Sequence, residues 1–273
     1  MQALATRNAQ HHDAEQARAR ALVRFNGLAF HSLAAASFLE TAVPLHVRRL
    51  TRAFDAFPDV RVWLEQVWWP RRAERARQLR EVVESTWPEF DWSAAYQEFY
   101  EAHQSRPRRH ARPAGVAQEA LDCCVVSAQG AVFYRALARS ADLAALRALA
   151  ANAARDCADS FDFFSALFER CKRRERIGIA AAWRAAIACC RTGRDEEVAD
   201  AFRPIAGNWK GTAIVSAIDY PEFRERMARL VIRRAALGPV ERMLFRPWLV
   251  RERAAPPAEF PVPLWLQRAP QAA

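Results

Sequence analysis

One stretch of the sequence, residues 143–171, constrains the fold more than any other. It reads LAALRALAANAARDCADSFDFFSALFERC, and its small and apolar residues recur in alternating steps of four and three. The residues in this stripe are Leu146, Ala150, Ala153, Cys157, Ser160, Phe164, Leu167 and Cys171. Such spacing is typical of a helix that packs along its whole length against other helices. We therefore expect a long bundle helix with Cys157 and Ser160 at the middle of its buried face, near Gln129.

Three other segments carry stripes of the same kind. They lie at residues 26–54, 59–86 and 116–139. Each stripe is interrupted near its midpoint by polar residues, which are Glu40, then Arg72 and Arg75, then Gln129. Glycine is scarce and no long run alternates apolar with polar residues, which favours helix over strand. The sequence therefore predicts an all-α fold, with a kink in the first helix at Pro44.

The lengths of the connections indicate how these helices are joined. Short turns separate the first helix from the second and the third from the fourth, whereas residues 87–115 form a long crossover. Further short helices are expected after residue 171. We assign three parts to the chain: an N-terminal extension at 1–25, a helical bundle at 26–205, and a C-terminal helix with a proline-rich tail at 206–273.

Composition limits the classes of function. The formal net charge is +10, but the positive charge is almost entirely arginine, and its clusters near residues 106–112 and 171–177 lack interleaved aromatic residues. Nucleic-acid binding is therefore not expected. No apolar run is long enough to span a membrane, and the first residues have no apolar signal core. These features predict a cytoplasmic protein without a membrane partner.

The cysteines indicate neither a disulfide framework nor a zinc site. They occupy positions 123, 124, 157, 171, 189 and 190, so two pairs are adjacent and no C-x-x-C occurs. Adjacent cysteines rarely form structural disulfides, and the spacing of the set fits no zinc motif. We expect reduced, buried cysteines that act as small apolar side chains.

Two motifs have a counterpart in a known superfamily. Residues 154–176 read ARDCADSFDFFSALFERCKRRER, and residues 67–84 read VWWPRRAERARQLREVVE. The first resembles the fourth-helix pattern ARDE-x-x-H-x-x-FF of ferritin-like di-iron proteins, and the second resembles a second-helix pattern with Glu-x-x-His after Trp-Pro. WPEFDW at 87–92 is similar to a bacterial branch of that superfamily. The resemblance covers about residues 26–205 and implies a ferritin-like four-helix bundle.

The resemblance also implies which residues occupy the metal-ligand positions, and most of them cannot bind iron. These positions are Glu40, Arg72, Arg75, Gln129, Cys157 and Ser160. One carboxylate beside an amide, a thiol, a hydroxyl and two guanidinium groups cannot hold two hard iron ions. We expect no metal, no cofactor and no catalytic residue at these positions. Glu40 is expected to pair with Arg72 or Arg75 inside the bundle, unless a shift in register lets both arginines extend to solvent.

Two functions are compatible with this pattern. The first is a non-catalytic ferritin-like bundle that has lost its di-iron site and acts as a binding or structural partner, of an unknown protein or of a second copy. The alternative is a di-iron oxidoreductase or oxygenase with atypical ligands, drawn from the displaced acids Glu74, Glu119, Asp156 and Asp159. Whether the chain is an enzyme stays open at this point, and its iron content separates the two hypotheses.

Overall fold

The computed structural model describes residues 23–105, 115–178, 195–210 and 218–234. In these ranges the regular elements are helices, and the one pairing of β type is an isolated bridge between Phe90 and Trp209. The predicted all-α class is confirmed. The first 22 residues, Cys189 and Cys190, and the predicted proline-rich tail lie outside the described residues.

The helices follow the predicted stripes. They are α1 (Gly27–Thr41), α2 (Val43–Ala53), α3 (Pro58–Trp63), α4 (Trp69–Thr86), α5 (Trp92–Ser105), α6 (Val116–Ser140), α7 (Ala144–Glu175), α8 (Asp195–Gly207) and α9 (Tyr220–Arg234). A π-helical segment, Leu64–Trp68, connects α3 to α4. The stripe at 26–54 therefore corresponds to α1 and α2, the stripe at 59–86 to α3 through α4, and the other two to α6 and α7.

Two prolines shape the first half of the chain. Pro44 lies in the first turn of α2, and α1 and α2 are bent by 43° relative to each other, as the sequence predicts. Pro70 lies in the first turn of α4, where its missing N–H removes one helical hydrogen bond. The turn before it widens, and the Trp69 N–H donates to the Leu64 carbonyl five residues back. This π-helical turn was not expected from the sequence, although the proline inside a helical stripe was a signal of a local break in the hydrogen bonds.

The helices pack in pairs. α6 and α7 are joined by a three-residue loop and contact each other along their length, and α1 packs on α4. The two pairs meet where α4 contacts α7 and α2 contacts α6. The crossover contains α5, which packs on α1 and α8: the indole Nε1 of Trp92 donates to Ser37 Oγ at 2.8 Å.

The buried apolar side chains form two main clusters. One contains the side chains of α1, the C-terminal half of α6 and the N-terminal half of α7. The other contains the side chains of α2, the N-terminal half of α6 and the C-terminal half of α7. The polar residues that interrupt the four stripes lie at the boundary between these clusters. The interior of the molecule therefore consists of two apolar regions with a polar layer between them.

The C-terminal helix that the sequence assigned to a separate part packs on the others. Phe223 and Met227 of α9 are buried with Phe202 of α8, and Leu28 and Phe133 pack against this cluster. The boundary at residue 205 stays a prediction.

The described residues contain no single helix that is both long and apolar enough to cross a membrane. α1 and α2 taken together meet the requirement of length and composition in spite of their bend, and most of α1 is buried against other helices of the same chain.

Candidate functional site

The polar layer is organised around the carboxylate of Glu40, whose side chain is 6% exposed. Arg72 Nε donates to Glu40 Oε2 at 2.7 Å, and Arg75 Nη2 donates to the same oxygen at 3.3 Å. Arg75 Nε lies 3.2 Å from Glu40 Oε1, and the Tyr134 hydroxyl donates to Oε1 at 2.9 Å. The predicted pairing of Glu40 is confirmed, and it involves both arginines rather than one of them.

Arg75 extends this cluster to the fourth stripe. Its Nη1 donates to the Ala153 carbonyl at 3.2 Å and contacts Cys157 Sγ at 3.7 Å. The hydrogen bonds of one guanidinium therefore reach α1 and α7, and Tyr134 adds α6. We call Glu40, Arg72, Arg75 and Tyr134 the ionic cluster.

Aromatic rings support the two guanidinium groups. Arg72 lies over the ring of Trp68 at 4.9 Å, and Arg75 lies over the ring of Tyr134 at 5.2 Å. Trp68 is the last residue of the π-helical segment, so the widened turn determines where this ring lies beneath Arg72. Cations over aromatic faces are stabilised by the ring quadrupole, more strongly where water is excluded.

Electrostatics keep Glu40 charged in spite of its burial. Burial alone would raise the pKa of Glu40, but the charges of Arg72 and Arg75 and the hydrogen bonds from Arg72 and Tyr134 lower it to about 2. Burial acts against the charge of Arg75, and Glu40 outweighs it, so that the pKa of Arg75 is raised. Burial and the neighbouring carboxylate of Glu40 raise the pKa of Tyr134 well above its usual value. The cluster therefore holds one carboxylate, two guanidinium groups and a neutral phenol.

The other predicted site residues surround the ionic cluster. Cys157 is buried and faces α6, where its Sγ would lie 3.0 Å from a β-carbon placed on Gly130. Ser160 is only partly buried, and its hydroxyl donates to the backbone carbonyl of Asp156 at 2.7 Å. Gln129 is also partly buried and forms no hydrogen bond with any residue that the structure describes. The expected contact of the fourth helix with the Gln129 region is thus made by Cys157.

A cavity of about 140 Å³ adjoins the ionic cluster. All six residues that the resemblance places at ligand positions line it, which are Glu40, Arg72, Arg75, Gln129, Cys157 and Ser160. Tyr134 and Trp68 line it as well, and Phe223 and Met227 bring α9 to its wall. Four stripes that are far apart in sequence therefore meet at one interior space.

The arrangement does not fit a di-iron centre. Within the described ranges, no three His, Cys, Asp or Glu side chains lie close enough together to hold a metal ion. Asp156 and Asp159 lie near Arg71, with distances of 3.6 and 3.0 Å from their carboxylates to Arg71 Nη1. Glu74 pairs with Arg77 on the surface of α4, and Glu119 pairs with Arg49. The displaced acids are therefore spread over separate ion pairs, and they do not line the cavity.

The described cysteines lie in the interior, and none of the four is in a disulfide. Cys123, Cys124, Cys157 and Cys171 are all buried. Burial raises the pKa of Cys124 well above its usual value and that of Cys171 to about 11. Such thiols are poor nucleophiles, because the thiolate is the reactive form. This agrees with the interpretation of these cysteines as small apolar side chains.

Sequence reasoning missed Tyr134 and the contribution of α9. Tyr134 lies off the predicted stripe of α6, but this helix is apolar on nearly every face, and a helix of that kind is buried all round. A buried tyrosine hydroxyl needs a hydrogen-bond partner, and Glu40 was the one acid in the predicted interior. No feature of the sequence predicted that α9 would line the cavity.

Comparison of the chain with known family models, with curated proteins and with solved structures finds no match in any of the three.

Proposed function

We propose that the chain is a non-catalytic ferritin-like helical bundle in which an internal ion pair occupies the place of a di-iron site, and that it acts as a binding partner. The observation that carries this proposal is the convergence of the six implied ligand positions on one cavity. Glu40 is the one carboxylate among them, and both of its oxygens are engaged by Arg72, Arg75 and Tyr134.

The charges of the ionic cluster disfavour iron. A di-iron site needs several anionic ligands, because the ions are hard cations. The ionic cluster instead carries one negative and two positive charges, so a ferrous or ferric ion would meet net repulsion. Its bound partner, under this proposal, is another protein chain or a second copy.

The test is metal analysis of the full chain expressed with iron supplied. We expect far less than one iron atom per chain and an unfolding temperature that a chelator does not change. Stoichiometric iron would contradict the proposal and favour the di-iron oxidoreductase with displaced acids. In that event, the double variant Asp156→Asn/Asp159→Asn shows whether these carboxylates hold the iron, and Glu84→Gln, at an exposed carboxylate of α4, is the control.

A further inference from the structure

The cavity beside the ionic cluster has an excess of positive charge. Glu40 carries one negative charge, while Arg72 and Arg75 carry two positive charges, and all three side chains line the same space. Asp156 and Asp159 lie outside the cavity lining and pair with Arg71. Asp156, outside the lining, also stabilises the charge of Arg75. On the cavity wall itself, two guanidinium groups share the single carboxylate of Glu40, so an anion in the cavity would add a second counter-charge there.

Hydrogen-bond donors on the cavity wall are also left without partners. Arg72 uses only Nε to bind Glu40, and its two Nη groups bond to none of the described residues. The Gln129 amide has no hydrogen bond within the described ranges either. The Ser127 side chain lines the cavity, is 7% exposed, and bonds to no described residue. Ser127 is buried, and Arg72 and Gln129 are partly buried. Polar groups in the interior nearly always have partners, so polar groups that border one space and bond to none of the described residues point to a molecule bound in that space.

The rest of the wall is apolar. It includes Ala35, Leu39, Val126, Phe133, Phe223 and Met227. The volume of about 140 Å³ is close to that of an interior cavity that accommodates a benzene ring, about 150 Å³. Ligand pockets typically combine such walls with a few polar groups that fix the orientation. The space therefore suits a small ring or branched chain with one anionic group.

We propose that this cavity binds a small organic monocarboxylate, with its carboxylate on the free edge of the Arg72 guanidinium and the Gln129 amide, and its apolar body against Leu39, Phe133 and Met227. The Nη groups of an arginine bind the two oxygens of a carboxylate by parallel hydrogen bonds. The ligand would restore charge balance in the polar layer. This inference rests on the proposed function, because a di-iron centre in the same space would leave no room for the molecule.

The experiment is calorimetric titration of the full chain, with iron content measured on the same sample. Benzoate is the probe, benzamide is the neutral control of the same shape, and acetate is the anion without an apolar body. We expect benzoate to bind, and benzamide and acetate to bind at least about tenfold more weakly, because each lacks one of the two contributions.

Two variants locate the site. Arg72→Gln should weaken benzoate binding at least about tenfold, whereas Arg77→Gln, which removes the same charge from the exposed face of the same helix, should leave it unchanged. Bound benzoate should also slow the alkylation of Cys157, which lines the cavity, without changing that of Cys171. This second measurement uses the wild-type chain and does not depend on the folding of a variant.

Three results of these experiments would contradict the proposed binding of a carboxylate. Equal binding of benzoate and benzamide would show an apolar cavity without anion recognition. If Arg72→Gln and Arg77→Gln weaken benzoate binding equally, the positive charge of the surface alone would account for the attraction of benzoate. Absence of binding in iron-free protein would overturn this inference and leave the proposed function in place, whereas stoichiometric iron in the sample would overturn the proposed function itself.

Discussion

Single residues of the ionic cluster differ in how far they depend on Glu40. Arg75 is 6% exposed and also bonds to Ala153 and Cys157, so its removal takes a buried donor from more than one group. Arg72 is 14% exposed and lies beside an open space. Removing either arginine leaves Glu40 short of a partner, and the cost depends on how deeply the lost donor was buried and on which partners of Glu40 remain.

The first prediction compares the two arginines. Arg75→Leu should lower the free energy of unfolding by about 3–5 kcal/mol, because it removes buried donors from both Glu40 and the Ala153 carbonyl. Arg72→Leu should lower it by about 1–2 kcal/mol, because Arg72 is more exposed and Glu40 then keeps Arg75 and Tyr134 as partners. Denaturant unfolding of each variant measures both values. Glu40→Leu/Arg75→Leu should lose less stability than the sum of its single variants. Equal costs for the two arginines, or no coupling of either to Glu40, would contradict the role of the cluster.

The second prediction concerns the residue that the sequence did not reveal. Tyr134→Phe removes one donor from a buried carboxylate and should cost about 1–3 kcal/mol in denaturant unfolding. Tyr96→Phe is the matched control, because the Tyr96 hydroxyl bonds to none of the described residues, and we expect a change within about 0.5 kcal/mol. Similar effects of the two variants would show that the Tyr134 hydroxyl does not stabilise Glu40.

At the level of elements, α6 and α7 approach each other closely at Gly130. Gly130 allows this approach, because a β-carbon at that position would lie 3.0 Å from Cys157 Sγ and 3.8 Å from Cys157 Cβ. The first distance is tighter than an ordinary contact, whereas the second is ordinary. The sulfur atom alone therefore opposes a larger residue at position 130.

The third prediction follows from these two distances. Gly130→Ala should destabilise the chain by about 1–3 kcal/mol in the wild-type background, because the close-packed interior must shift. In a Cys157→Ala background the same change should be neutral or stabilising by about 0.5–1 kcal/mol, because alanine favours helix over glycine. Thermal or denaturant unfolding of the four chains forms the cycle. If Gly130→Ala lowers stability equally in both backgrounds, an atom other than Cys157 Sγ must oppose a β-carbon at position 130.

Predictability from sequence differs between elements for physical reasons. The stripes of α6 and α7 could be predicted because apolar side chains at helical spacing must be buried, and Glu40 and Arg75 could be matched by their positions on adjacent stripes. The π-helical turn before Pro70 could not, because a proline inside a helical stripe indicates a lost hydrogen bond but not the wider turn that accompanies it. The approach of α9 to the cavity depends on tertiary contacts, and the pattern of apolar residues in α9 does not indicate which surface it packs against.

The whole molecule has two apolar clusters separated by the polar layer. The charged state of that layer should therefore affect the stability of the entire chain. The folded-state pKa of Glu40 is about 2, below its ordinary value of 4.5, so the folded chain binds fewer protons at this site than the unfolded chain. The stabilisation is complete above pH 4.5 and is lost as the pH falls through 4.5 towards 2.

The fourth prediction is the size of this loss. Between pH 6 and pH 3, protonation linked to Glu40 should remove about 2 kcal/mol from the free energy of unfolding of the wild-type chain. Glu40→Gln lacks this carboxylate, so the gap in stability between wild type and variant should narrow by that amount over the same range. Glu84→Gln, which removes an exposed partner of Arg80, should follow the wild-type curve. Direct titration of the Glu40 carboxyl by NMR in the wild-type chain gives the same quantity without a variant. A gap that stays constant from pH 6 to pH 3, with Glu40 titrating near 4.5, would mean that the two arginines do not hold this carboxylate inside the folded chain.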